Sequence, residues 1–268
     1  MDQEHPFAPM KTYATCLSIA GSDPSGGAGL QADLKTFTLL GTYGQAVPTA
    51  LTVQNSRGVR RSEPVAAGLV RDQLEAVMDD LPPQAVKIGM LPTAGVALAV
   101  ADVLERCAPP FVVIDPVMIS SSGYPLVAPD CVEVLRRRLM PLCSLLTPNL
   151  PEVQALLGTD STDQSLLARR LSEEMGGAAV LVKGGHCEGQ PVDVLFDGEL
   201  YIYKECRVES ANTHGTGCVL SSAIAAYVAK GASLPEAVGQ AKAFLTRALR
   251  RGADYFAGKG VGAMYLLP

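Results

Sequence analysis

The residues best suited to chemistry lie in Asn212-Thr213-His214-Gly215-Thr216-Gly217-Cys218, directly ahead of an apolar run that reads as a helix from Thr216 to Lys230. Successive backbone N–H groups of such a turn, aimed along a helix N-terminus, make an anion site with partial positive charge and unpaired donors. That suits the charge that develops when a phosphoryl group is transferred, where losing one comparable donor costs roughly 3 kcal/mol. Cys218 falls in the first helical turn. There the dipole and the amides favour a thiolate, so its pKa is expected below the free value of about 8.5. Such a thiolate could take the proton of an attacking hydroxyl; the plainer reading is a Cys packed at a helix start.

Other loops offer complementary groups. Gly21-Ser22-Asp23-Pro24-Ser25-Gly26-Gly27-Ala28-Gly29 follows an apolar strand-like run and opens a helix that carries Asp33 and Lys35. Its glycines let backbone approach a ligand, yet it matches neither the P-loop nor the dinucleotide fingerprint in full. Asp115 closes one strand, and Asn149 with Glu152 follows the next. A carboxylate and an N-x-x-E pair on one edge could hold magnesium, which uses few protein carboxylates plus phosphate oxygens and water. Asn149 and Glu152 equally fit a helix cap with its capping-box partner. Lys183, beside Gly184 and Gly185, suits phosphate neutralisation; His186 reads as structural.

These groups need a scaffold that gathers strand ends. Strands are expected at Cys16–Ala20, Ala46–Val53, Val86–Met90, Phe111–Asp115, Ser144–Thr147 and Ala179–Lys183. Helices are expected at Leu30–Leu40, Val65–Asp80, Thr93–Cys107, Pro129–Leu139 and Ser161–Met175. The alternation is βαβ, and strands apolar throughout imply a parallel sheet covered on both faces. After Lys183 the runs Val192–Phe196 and Leu200–Lys204, joined by Asp197-Gly198, read as a hairpin. Two helices follow, Thr216–Lys230 and Leu234–Arg251. No linker or repeat interrupts the order, so a single domain over 13–268 with a short extension at 1–12 is expected.

Composition narrows the partners. The 268 residues are 48% apolar and 18% charged, with 22 basic and 27 acidic side chains and a net charge of −5. A broad nucleic-acid surface needs clustered positive charge that this chain lacks. Arg136-Arg137-Arg138 and Arg250-Arg251 read as solvated helix ends. The longest apolar stretch, Val219–Ala229, contains Ser221 and Ser222 and is shorter than the roughly 20 residues of a membrane span. With no secretory signal visible, a cytoplasmic location is expected. Seven Cys without a C-x-x-C pair and three His offer no zinc spacing. Each Cys except Cys218 is expected to be a small buried apolar residue.

Taken together, Ala20–Lys35, Thr49–Asn55, Lys87–Leu91, Asp115–Met118, Thr147–Glu152, Lys183–His186 and Asn212–Cys218 resemble the hydroxymethylpyrimidine/phosphomethylpyrimidine kinases of thiamine biosynthesis, within the ribokinase-like superfamily. They occur in that family's order over about residues 13–265. The resemblance implies an α/β, ribokinase-like three-layer αβα sandwich with a mostly parallel central sheet. It further implies a homodimer that uses ATP and Mg2+ to phosphorylate 4-amino-5-hydroxymethyl-2-methylpyrimidine and then its monophosphate. Carried over residue by residue, the pyrimidine would lie among Gly21, Ala28, Asp33, Gln54, Met90 and Val117. Asn149, Lys183, Thr213, Gly215 and Gly217 would face the nucleotide, and Asp115 and Glu152 the metal. Lys183, Cys218 and the Gly215-Thr216-Gly217 turn would act in catalysis. Many sugar kinases of the superfamily have Asp at the position of Cys218. The competing readings are a pyridoxal kinase of the same branch and a catalytically silent ligand sensor. The lid Ile119-Ser120-Ser121-Ser122-Gly123 has no Cys, and together with Gln54 this favours the pyrimidine.

Overall fold

The computed structural model describes residues 12–118, 123–124, 126–185, 189–256 and 258–268. Residues 119–122 of the expected lid at 119–123, His186, Cys187 and nearly all of the expected extension lie outside them. Alternating strand and helix runs give β1 (Thr15–Ser22), α1 (Gly29–Leu39), β2 (Tyr43–Asn55), β3 (Gly58–Pro64), α2 (Ala67–Asp80), β4 (Ala85–Ile88) and α3 (Ala94–Cys107). They continue as β5 (Val112–Ile114), α4 (Pro129–Val134), β6 (Leu145–Leu146), α5 (Leu150–Leu157), α6 (Gln164–Glu174) and β7 (Ala179–Val182). The hairpin β8 (Val192–Asp197) and β9 (Glu199–Lys204) precedes α7 (Thr216–Ala229) and α8 (Leu234–Gly252).

The strands form one sheet in the order β3-β2-β1-β4-β5-β6-β7-β8-β9. From β2 to β7 every pairing is parallel, and β3, β8 and β9 add antiparallel edges. Side chains alternate across it as a period of two requires. Leu17, Ile19, Val86, Ile88, Val112, Ile114, Val180 and Val182 pack on one face with α2, α3, α5 and α6. Cys16, Ala85, Val113, Ala179 and Leu181 pack on the other with α1, α7 and α8. The fold is thus the expected three-layer αβα sandwich.

Three local expectations change. β2 is longer than Ala46–Val53, and β3, whose Arg60, Arg61 and Glu63 are exposed, carries no apolar signal of its own. The helix expected to run to Leu139 widens to a π turn at Leu135–Leu139 and tightens to a 3-10 turn at Met140–Leu142, where Pro141 cannot supply a backbone donor. Cys16, Cys131 and Cys143 are buried as expected, but Cys107 ends α3 and Cys206 follows β9, both exposed. The Arg136–Arg138 run does lie at the surface, paired with Glu174, Glu133, Asp102 and Glu105. Among the described residues no helix is long and apolar enough to cross a membrane.

Candidate active site

A cavity of about 710 Å³ opens at the C-terminal ends of the parallel strands, where open α/β sheets bind ligands. Its lining includes Gly21, Ala28, Gln54, Met90 and Val117. Asp115, Asn149, Glu152, Lys183, Thr213 and the Gly215–Cys218 turn complete its lining. One expected residue is missing from this lining, and that is a correction. Asp33 is fully buried on the inward face of α1, where its carboxylate accepts from Lys87 Nζ at 2.8 and 3.0 Å, Ser18 Oγ at 2.5 Å and Ser222 Oγ at 2.7 Å. No lone pair is left to read a ligand edge.

Those four bonds form the floor of the site. Lys87 is the one lysine of an otherwise apolar strand, and it stays charged at full burial because Asp33 neutralises it. Burial alone would lower the Lys87 pKa, but Asp33 outweighs it and, with Cys218 and Asp115, drives it upward. Ser222 lies one turn beyond Cys218 on α7, so the same carboxylate ties the anion-site helix to β1 and β4.

The head of α7 is shaped by glycine. Gly215 caps the helix at φ 82°, a left-handed conformation costly for other residues, and a Cβ there would stand 2.0 Å from the Gly27 carbonyl oxygen. At Gly217 a Cβ would stand 3.1 Å from Asp115 Oδ2 and 3.3 Å from Lys183 Nζ. The missing side chain brings a carboxylate and an ammonium to the first turn. Lys183 Nζ donates to Asp115 Oδ1 at 2.6 Å, while Asp115 Oδ2 is buried without a hydrogen-bond partner among the described residues.

The capping-box reading of Asn149 and Glu152 is what the structure shows. Asn149 Oδ1 accepts from Glu152 N at 2.9 Å, and Glu152 Oε2 accepts from Asn149 N at 2.8 Å, starting α5 at the cavity wall. Burial pushes the Glu152 carboxyl up to about 7; Lys183 opposes the rise and Asp115 adds to it. Two carboxylates, one with an orphaned buried oxygen, fit a hard cation that brings water and phosphate oxygens of its own. Among the described residues no three His, Cys, Asp or Glu cluster as a protein-only metal site.

Cys218 differs from expectation. It stands at the helix start, but burial pushes its thiol up rather than down. Lys87 and a hydrogen bond from the Gly29 N–H pull it back, while Asp33 and Asp115 push it further. The thiol form therefore prevails at neutral pH. Sequence reasoning also passed over Lys87 and the Asp23–His214 contact, in which Asp23 Oδ2 lies 2.9 Å from His214 Nε2. A lysine inside the run Ala85-Val86-Lys87-Ile88 was the available signal, since an ionised group there needs a buried partner.

Comparison with known proteins agrees with this geometry. A family profile described as Phosphomethylpyrimidine kinase matches residues 23–264. The hydroxymethylpyrimidine/phosphomethylpyrimidine kinase of Rhizobium meliloti is 48% identical over 257 residues, covering 94% of this chain and 96% of the relative. A thiamine biosynthesis bifunctional protein of Geobacter sulfurreducens is also 48% identical, over 87% of this chain, and the chain spans 49% of its length. Among solved structures, a phosphomethylpyrimidine kinase of Clostridium difficile superposes with TM-score 0.78 at 42% identity, covering 88% of this chain and 99% of that one. The pyridoxal kinase of Staphylococcus aureus in complex with AMP-PCP and pyridoxal superposes with TM-score 0.84 at 31% identity, covering 96% and 94%.

The floor makes a stability prediction. Asp33→Asn strands a buried ammonium and is expected to lower the unfolding free energy by about 3–5 kcal/mol in urea denaturation. Adding Lys87→Met to it should recover part of that loss. A double variant that loses the sum of the two single losses would show that the pair is not coupled.

Proposed function

Because the chain belongs to the phosphomethylpyrimidine kinase family, we propose that it transfers the γ-phosphoryl group of ATP to the hydroxymethyl oxygen of 4-amino-5-hydroxymethyl-2-methylpyrimidine and then phosphorylates the monophosphate. One observation carries this reading. One cavity is lined both by Gly21, Ala28, Met90, Val117 and the amide of Gln54 and by a helix N-terminus with Lys183 and Asp115 beside it.

The alcohol attacks phosphorus, and the charge growing on the transferred group meets the N–H groups of Gly215, Thr216, Gly217 and Cys218. Their donors are already oriented by the helix start. Lys183 neutralises phosphate oxygens, and Asn149 and Thr213 border the nucleotide. Asp115 and Glu152 would hold Mg2+, which when bound shields the phosphate charge and aligns the transfer. Cys218 takes the hydroxyl proton. Its raised pKa means that the competent thiolate is scarce at neutral pH and grows as pH rises, so turnover should climb on the alkaline side. Use of ATP sets the work in the cytoplasm.

Pyridoxal is a second substrate reading, favoured by the likeness to pyridoxal kinases at TM-scores of 0.84. A silent sensor is disfavoured by a phosphate site in which the helix start, Lys183 and Asp115 are all assembled. We infer a homodimer through the outer face of β2, where Leu51 and Val53 are 58% and 44% exposed.

Three measurements test these readings. Release of ADP from Mg-ATP should require the pyrimidine alcohol, should cease when EDTA removes the metal, and should be slower with pyridoxal; no release at high enzyme concentration would favour the sensor. Cys218→Ser is expected to lower kcat by about 100-fold or more, with the alcohol KM changed little. Undiminished turnover across roughly pH 6–9 would remove Cys218 as base. Light scattering should give twice the chain mass, falling to one chain in Leu51→Glu/Val53→Glu; a monomeric wild type overturns the dimer.

A further inference from the structure

Gln54 stands between two fixed neighbours. One atom of its side-chain amide lies 3.1 Å from His214 Nε2, and the other lies 3.2 Å from Thr52 Oγ1. Which atom is nitrogen follows from counting donors. The Thr52 hydroxyl has one hydrogen, and the Ser22 carbonyl oxygen takes it at 2.7 Å. Toward Gln54, therefore, Thr52 can only accept. On the opposite side, His214 Nε2 sits 2.9 Å from Asp23 Oδ2. Burial favours protonation of Asp23, but hydrogen bonds from His214 and Ser25 prevail and keep it ionised. An ionised carboxylate only accepts, so Nε2 carries the proton; it cannot accept from an amide N–H, and it can share its one hydrogen between Asp23 and an amide oxygen at 3.1 Å. Both neighbours thus agree: the amide oxygen belongs beside His214 and the amide N–H beside Thr52.

The imidazole that sets this choice is itself held. Asp23 Oδ2 also accepts from Ala28 N at 2.9 Å and Gly27 N at 3.2 Å. A Cβ at Gly27 would stand 2.6 Å from His214 Cδ2, so the ring lies against bare backbone. The His214 N–H donates to the Gly262 carbonyl oxygen at 3.0 Å. With its sides taken by His214 and Thr52, the amide has one acceptor and one donor left for the cavity that Gln54 lines.

We propose that the Asp23–His214 pair is a specificity device: it sets which way round Gln54 presents its amide, so that the site selects the donor–acceptor order on the substrate's ring edge. The proposal rests on the pyrimidine reading above. A 4-aminopyrimidine offers a donor at the amino group beside an acceptor at the ring nitrogen, which pairs with an amide held oxygen to one side and nitrogen to the other. The 4-oxo analogue, with the same hydroxymethyl group, offers the reverse order. It leaves like groups facing each other, a mismatch that buried polar sites reject strongly. His214 is a positioning residue here, acting on the substrate through Gln54.

The test compares kcat/KM for the 4-amino and 4-oxo alcohols in wild type, His214→Leu, His214→Gln and Thr52→Val. Wild type should prefer the amino alcohol. His214→Leu should lower that preference at least tenfold with the KM for ATP within about twofold, because the amide then loses the neighbour that holds its oxygen and is left with Thr52 alone. His214→Gln, which can still offer an N–H to both oxygens, should restore most of it. Thr52→Val removes the opposite acceptor and should erode the preference in the same direction. A purely structural role for His214 would slow both alcohols equally, so an unchanged ratio in whichever of His214→Leu and Thr52→Val folds overturns the proposal. A wild type that phosphorylates neither alcohol overturns the substrate reading and the proposal with it; one that prefers the amino alcohol while the variants keep the ratio overturns the proposal alone.

Discussion

One buried carboxylate sets the placement of the site. Asp33 accepts hydrogen bonds from β1 through Ser18, from β4 through Lys87 and from α7 through Ser222. Those bonds join the sheet to α7, whose N-terminus is the proposed anion site. Bonds from backbone amides to phosphate work only if the amides are already aimed, since reorganisation during transfer would consume the stabilisation. A helix held by apolar packing alone could slide or roll slightly; one whose second turn is bonded to a buried ion pair has a defined register. Burial raises the Cys218 thiol; Lys87 of the same pair opposes that rise and Asp33 adds to it, so the thiol stays above its ordinary value.

Above that floor, two loops far apart in sequence act as one wall. The glycine-rich loop after β1 and the turn before α7 touch where Gly27 meets His214 and where the Gly27 carbonyl approaches Gly215. The C-terminal segment braces them from outside, through Gly262 bonded to His214 and Asn212 Nδ2 donating to the Gly252 and Tyr255 carbonyls at 2.6 and 2.7 Å. Glycine occurs where backbone must approach backbone or a charged group must approach the helix start. The proposed ring pocket and the proposed phosphate site would therefore share this wall.

The charge distribution follows the same economy. In a chain with net charge −5, the proposed phosphate site rests on helix amides and on Lys183, which is paired with Asp115. Burial would lower the Lys183 pKa, but Asp115 and Glu152 outweigh it and raise it. Among the described residues Asp115 keeps one buried oxygen unpaired, and burial holds the Glu152 carboxyl up at about 7. Under the proposed reading, such a cluster would receive a cation and an anion together.

The sequence by itself determined the layered architecture, because uninterrupted β-branched runs such as Val112-Val113-Ile114 can only be satisfied by burial on both faces. It also placed Asn212–Cys218 at a helix start and Asp115 and Lys183 at strand ends, since Gly, Pro and the close of an apolar run are local signals. Tertiary structure decided the rest. Asp33 and Lys87 are 54 residues apart, and nothing local says that the carboxylate turns inward to the lysine rather than outward to a ligand. The thiol of Cys218 was expected to be lowered by its helix and is raised by its burial, and burial depends on every layer packed around it. β3 was invisible because an antiparallel edge strand with polar side chains takes its order from hydrogen bonds to β2. Helix starts and strand ends are encoded within a few residues; the direction of a pKa shift and the partner of a buried charge belong to the assembled fold, because desolvation and Coulomb interaction act through space and not along the chain.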